Sequence, residues 1–276
     1  MKAGSDAIGP PAVRGLRYDL QIVMALIRHA RVVILPIITT VVILAIWEAG
    51  VRLFQVSPVV LPAPSAIAAN LVSNFGLLMY HAGQTTSEAA IGLCLAIGIG
   101  FCGGFALAYS PMFRESTYPH MVFFQLTPKV ALAPLFIMWL GVGAESRLAF
   151  TIFIAFFPIL VSTAAGLTNV DESYIRFSKA ITASTWQTFL HIRLPFALPT
   201  IFAGFKIGVT MSFIGIIVGE FITSQAGLGY LILFASTRAA TATIFAAILV
   251  LGVIGMLFYA MVAVIEKLVL LRYGSR

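Results

Sequence analysis

Six stretches of mostly apolar residues interrupt this chain at short intervals: about 32–54, 84–109, 119–141, 147–168, 196–222 and 243–266. A helix needs about 20 such residues to cross the hydrocarbon of a bilayer. Backbone groups that enter hydrocarbon must find their partners inside the protein, which a helix achieves within its own segment. The chain is therefore expected to be all-α, a polytopic membrane protein with six transmembrane helices. Composition agrees, since 60% of the 276 residues are hydrophobic, only 10% are charged and the mean hydropathy is +1.02. One water-soluble core could not hide that much apolar surface.

Six spans place both chain ends on one side. With the N-terminus in the cytoplasm, twelve Lys and Arg residues fall in cytoplasmic segments and only Arg52, Arg147 and Arg238 fall outside. That asymmetry fits the excess of Lys and Arg in the inner loops of membrane proteins, so both termini are expected in the cytoplasm. The net charge of +7 then reflects topology, and no nucleic-acid partner is expected. Residues 1–31 form a cytoplasmic tail, in which Leu16, Leu20, Val23, Met24 and Ile27 line one helical face beside Arg17, Arg28 and Arg31. This reads as an amphipathic helix on the inner membrane face, or else as an extension of the first span. No cleavable signal pattern is expected, because the first apolar segment is long enough to span. Residues 32–276 make up the transmembrane domain.

After the first span, SPVVLPAPSAI (57–67) carries Pro62 and Pro64, which forbid a continuous helix, and Ser65, placed to cap the next one. The following segment is too polar to span and predicts an interfacial helix leading into the second span near Gln84. In that span Gly92, Ala96, Gly100 and Gly104 recur every fourth position, a spacing that lets helix backbones approach closely. Cys94 and Cys102 have no disulfide or zinc spacing and read as soft core filler.

The longest cytoplasmic loop, 169–195, is not loop-like. A short helix is expected over about Asp171 to Ile181, with Tyr174, Phe177 and Ile181 on one face. Ser184 followed by Gln187 fits a capping box, in which each side chain satisfies the other residue's orphan N–H. Pro195 is expected to end that second helix and Pro199 to sit in the first turn of the fifth span. Trp186, Phe189 and Ile192 are large apolar groups for a solvated connector. They either fold back onto the spans or dock in a groove of a cytoplasmic partner.

Lys129 and Lys206 lie within spans, where a lysine costs about 2.5–3.5 kcal/mol on insertion scales. Pro128 and Pro134 flank Lys129 and break the third helix, which is tolerated where backbone lines a cavity. The segment therefore reads as pore-lining. Glu220, near the end of the fifth span, either partners a lysine or gates, and the alternative for all three is a structural ion pair or snorkelling. His81, His120 and His191 lack a second ligand at metal spacing. No nucleophile–base pair, H-E-x-x-H or phosphate-binding G-x-x-x-x-G-K-[ST] occurs, so no catalytic residue, metal or ATP site is expected in this chain. An ion-coupled secondary transporter would also hold buried Lys and Glu, but no internal repeat is visible.

The residues resemble those of a known family, the permease subunits of binding-protein-dependent ABC importers, within the nitrate/sulfonate/taurine class. Its cytoplasmic signature, E-A-A, three residues, G, nine residues, I-x-L-P, aligns with Ile192, Arg193, Leu194 and Pro195. The glycine then falls at Thr182 and E-A-A at Arg176, Phe177 and Ser178, so the first half departs. ASTWQTF (183–189), LPAPSAI, TPKVALAPLFIMWLGVG (127–143) and GEFITSQAGLGYLI (219–232) are similar to segments of the class, while Glu88 stands where many members carry arginine. The resemblance implies a type I ABC importer permease fold in a bacterial inner membrane and a second copy completing one path. It implies two cytoplasmic ATPase subunits, which bind the ATP and Mg, and a periplasmic solute-binding protein. Ser184, Trp186, Gln187, Phe189, Ile192, Leu194 and Pro195 are the implied coupling residues, and Pro128, Lys129, Pro134 and Glu220 the candidate path residues. The expected cargo is a small organic anion such as a sulfonate, taurine or an aromatic acid.

Overall fold

A computed structural model describes residues 34–273. Within them the fold is all helix. The elements run α1 (Ile34–Leu53), α2 (Pro64–Ser73), α3 (Phe75–Tyr109), α4 (Pro111–Leu126), a 3-10 turn over Lys129–Leu132, α5 (Ala133–Leu140) and α6 (Ala144–Thr168). They continue with α7 (Glu172–Ala180), α8 (Thr185–Thr188), α9 (Leu194–Thr223), α10 (Leu228–Thr237) and α11 (Thr241–Tyr273). Among the described residues five helices are long and apolar enough to cross a membrane, and a sixth span results if α4 and the segment Lys129–Leu140, bent by 94°, count as one. The N-terminal amphipathic stripe lies outside the described residues.

The chain divides into two compact units, Met1–Ala66 and Ile67–Arg276. In the described part of the first, Glu48 near the end of α1 pairs with Arg52 and accepts from the Ser65 backbone N–H at 3.0 Å and its hydroxyl at 2.7 Å. Ser65 was expected to cap α2. Instead Pro64 opens the helix, where its missing N–H costs nothing, and Glu48 satisfies the orphan N–H that follows.

In the second unit α6 is the central helix, packed against α3 on one side and α9 on the other. Both neighbours turn glycines toward it. A Cβ at Gly100 would lie 2.7 Å from the Phe156 carbonyl oxygen, one at Gly104 2.7 Å from that of Leu160, and one at Gly215 2.8 Å from the Thr151 Cα. Backbone-to-backbone approach this close is how helices gain van der Waals contact inside a bilayer, where apolar burial against lipid supplies little. Phe150, Ile154, Ile159 and Leu167 of α6 are buried in the resulting core. Cys94 and Cys102, expected as core filler, are exposed, because the glycine stripe takes the inner face of α3.

Three boundaries differ from expectation. The segment before Gln84 is split between two helices: α2 forms a separate short helix over Pro64–Ser73, but α3 already begins at Phe75 and runs unbroken for 35 residues. Of the polar groups at its start, His81 and Thr85 lie on the packed face and are buried. Pro195 does not end the α8 helix. A π-helical turn over Phe189–Arg193 joins α8 to α9, and the Leu194 N–H donates to the Phe189 carbonyl five residues back. The widened turn gives the Pro195 ring the room an ordinary helix would deny it. Pro199 consequently sits inside α9.

Candidate functional site

At the α8 end of the bundle, local chemistry builds a compact pair of short helices. The Asp171 side chain caps α7 by accepting from the Ser173 N–H at 2.8 Å, and its hydrogen bonds to Ser173 hold its carboxyl below the usual carboxylate range. At the other end of α7 the Ala183 N–H donates to the Ser178 carbonyl and the Thr182 N–H to that of Lys179, both at 3.0 Å. This is the Schellman pattern, which needs a left-handed residue just past the helix. Thr182 occupies that position with φ of 56°. It is where the resembled signature has glycine, so the bend is kept without the residue that makes it easy. Two residues later Ser184 and Gln187 form the expected capping box: the Gln187 N–H donates to Ser184 Oγ at 3.2 Å and the Ser184 N–H to Gln187 Oε1 at 2.8 Å. Thr188 donates to Ser178 Oγ at 3.2 Å and ties the two helices together.

The apolar side chains here divide into two sets. Trp186 is 62% exposed, and Tyr174, Phe177 and Ile181 of α7 are exposed with it. Phe189, 7% exposed, turns inward and meets Phe105 and Tyr109 of α3 edge-on at centroid distances of 5.3 and 5.8 Å. Its outer face stacks on Trp186 at 5.4 Å. Leu194 packs toward Leu167, Ala197 and Ile201, and Ile192 and Pro195 are half-buried. Arg193 lies 5.3 Å over the Tyr109 ring. Phe105 and Tyr109 were not singled out from the sequence, since nothing local distinguishes them from other apolar residues of α3. Phe177 and Ile181 carried a readable signal in their helical spacing.

At the bend between α4 and α5, Pro128 precedes the 3-10 turn and Pro134 occupies the first turn of α5. The half-buried Lys129 ammonium sits 4.6 Å above the Phe157 ring. No hydrogen bond or ion pair joins it to Glu220 among the described residues. The other lysine within a span, Lys206 of α9, pairs with Glu266 of α11.

Glu220 belongs to a polar cluster at the opposite end of the bundle from α8. Its Oε1 accepts from the Thr85 hydroxyl at 2.7 Å and its Oε2 from the Gly229 N–H at 2.6 Å. Thr85 Oγ1 in turn accepts from the Leu228 N–H at 2.8 Å, and His81 Nδ1 from the Gly227 N–H at 3.0 Å. Three orphan N–H groups at the start of α10 are thus satisfied by α3 and α9, as an unpaired helix N-terminus in a low-dielectric setting requires. Beside them Arg147 of α6 grips Glu88 of α3 with two hydrogen bonds, from Nε at 2.8 Å and from Nη2 at 2.6 Å. Arg147, expected on the outer side where the fourth span starts, lies in the first turn of α6 and is mostly buried by its partner. Among the described residues no group of His, Cys, Asp or Glu is arranged to hold a metal.

Comparison with known proteins places residues 92–270 in the family described as "Binding-protein-dependent transport system inner membrane component". The chain is similar to a "Probable ABC transporter permease protein" of Haemophilus influenzae, 32% identical over 224 residues covering 81% of this chain and 91% of that one. It is 30% identical to the "Formylaminopyrimidine transport permease protein ThiX" of Halalkalibacterium halodurans, over 85% of this chain and 94% of that protein. The "Taurine transport system permease protein TauC" of Escherichia coli is 29% identical over 83% of this chain and 86% of its own length. The fold resembles that of a solved amino acid ABC transporter chain with a TM-score of 0.60 at 13% identity, covering 72% of this chain and 97% of that one.

Proposed function

The chain belongs to the inner membrane components of binding-protein-dependent transport systems, and on that premise we propose that two copies of it form the path of an importer for a small organic anion. The chain itself is a multi-pass ABC importer permease. The cargo is a sulfonate, taurine or an aromatic acid, a reading supported by the taurine and aliphatic sulfonate permeases among its relatives. A periplasmic binding protein delivers the solute, two cytoplasmic ATPase subunits drive its passage, and both chain ends face the cytoplasm. Residues 1–31 form the tail and 32–276 the transmembrane domain.

In this reading the ATPase docks on the short helices of segment 169–195. Trp186 is the anchor, Ser184 and Gln187 hold the helix start, and Phe189, Ile192, Leu194 and Pro195 pass the displacement inward. One observation carries it: the exposed Trp186 stands on a helix that continues through the π turn into the 30 residues of α9. A push on α8 therefore acts on a spanning helix without an intervening flexible loop. Large aromatic anchors of this kind dominate interface energies. Pro128, Lys129 and Pro134 line the path where α4 and α5 part, and Glu220 shapes its outer end through the cluster it holds. The chain supplies no ATP or Mg site in this scheme, and no group for nucleic acid.

The test is a purified assembly of permease, ATPase and binding protein in proteoliposomes. Replacing Trp186 and Phe177 with alanine is expected to leave assembly in the membrane intact while ATP hydrolysis continues with little uptake. Undiminished coupled uptake would reject the docking assignment. Uptake driven by an ion gradient without any ATPase would reject the whole reading.

A further inference from the structure

At the bend by Lys129 a half-open pocket of about 200 Å³ lies between α4 and α6. Phe124, Phe153, Phe156 and Phe157 form much of its wall, and the surface it exposes is apolar. Lys129 contributes the cation at its edge, held over one face of Phe157. The contrast with Lys206 is informative. Both lysines lie in apolar segments, but Lys206 has Glu266 for a partner, and no carboxylate pairs with Lys129 among the described residues. Thr117 and His120 are the other polar side chains of the lining, and the rest is apolar. A cation against an aromatic wall, with no carboxylate in the lining, calls for an anion whose remainder is itself flat and apolar.

Size narrows the class. A dry protein cavity of about 150 Å³ accepts benzene, so the space beside Lys129 suits one six-membered ring with a small substituent. Nitrate would leave it mostly empty. Taurine would bring its ammonium into a mostly carbon-lined space beside the like charge of Lys129, with no carboxylate in the lining to pair with it. A tricyclic solute is too large.

The geometry points to a binding site for an aryl monoanion, a single-ring sulfonate or carboxylate, with its ring among Phe153, Phe156 and Phe157 and its anionic group on Lys129. This deepens the transport reading and rests on it, since the solute would pause here on its way across. The ring gains edge and face contacts with the phenylalanines, and the anion gives the lysine the partner that no described carboxylate supplies.

The assembly of permease and ATPase subunits in phosphatidylcholine nanodiscs would be titrated with radiolabelled benzenesulfonate and benzoate. Saturable binding at one site per permease is expected, weakened at least tenfold in Lys129→Met and weakened in Phe157→Leu. Unlabelled taurine and nitrate should fail to displace the label. Equal affinity in wild type and Lys129→Met overturns the proposal, as does equal displacement by taurine. Nanodiscs containing phosphatidylglycerol test for a lipid headgroup: loss of aryl binding in them assigns Lys129 to lipid and overturns the proposal, while retained binding supports it. Binding-protein-stimulated ATP hydrolysis is measured on the same samples. If it persists without aryl binding, the site falls and the transport reading stands. If it is absent in wild type, the transport reading itself falls.

Discussion

Glu220 leaves Gly227 no room for a side chain: a Cβ added at Gly227 would run into the Glu220 carboxyl group. Gly227 has φ of 110°, a conformation closed to other residues at low cost. The seven-residue separation of Glu and Gly in GEFITSQAGLGY is therefore a matter of fit. The chain leaves α9, reverses, and returns α10 so that the Gly229 N–H meets the carboxyl group directly and the Leu228 N–H reaches it through the Thr85 hydroxyl.

Replacing Gly227 with alanine should accordingly be severe, because both the φ and the contact forbid it. Glu220→Gln is milder, presenting an amide NH₂ to groups that are themselves donors. A loss of about 1–3 kcal/mol is expected for the unsatisfied group, seen as earlier thermal unfolding in detergent. Unchanged melting in Glu220→Gln would show that the cluster does not hold α10.

The Glu88–Arg147 pair joins α3 to α6 with both side chains mostly buried. Removing one partner leaves a charge without solvent, at a cost of about 3 kcal/mol or more. Glu88→Gln and Arg147→Met should each lower the yield of folded protein. The exchange Glu88→Arg with Arg147→Glu should restore much of it, whereas additive losses in the double variant would deny direct coupling.

Thr182 is the easiest position to improve. A β-branched residue in the left-handed region costs about 1–3 kcal/mol, so Thr182→Gly is expected to recover about 1 kcal/mol once the greater chain entropy of glycine is subtracted. Melting of the purified protein should rise, with transport unaffected. A fall in melting temperature would mean that Thr182 makes contacts that outweigh its strain.

Phe189 and Trp186 stack on each other but should respond differently. Phe189→Ala empties a buried site and is expected to cost about 3–5 kcal/mol. Trp186→Ala removes a mostly exposed ring, so stability should change by less than about 0.5 kcal/mol while uptake falls relative to ATP hydrolysis. Equal destabilisation by both variants would contradict this division.

Much of the helical order was legible because it is written locally. Length and hydropathy marked α1, α6 and α11; the helical face of Tyr174, Phe177 and Ile181 marked α7, and the capping box of Ser184 and Gln187 marked the start of α8. The glycine spacing of α3 announced a close neighbour without saying which one. The misplacements share a cause. The segment before Gln84 looked too polar to span because groups such as His81 count against it, yet His81 accepts from the Gly227 N–H, 146 residues away. Pro195 looked like a helix end because the π turn that admits it depends on Phe189 being held by Phe105 and Tyr109.

The order of apolar segments, short-range caps and small-residue spacings thus determined by themselves that this chain is a helical membrane protein with an amphipathic connector. Which side chain answers which was decided only in the folded molecule: Glu220 by the start of α10, Lys206 by Glu266, Lys129 by no carboxylate among the described residues. Hydropathy and capping act over one or two turns of helix, whereas the partner of a buried charge depends on how distant helices pack around α6.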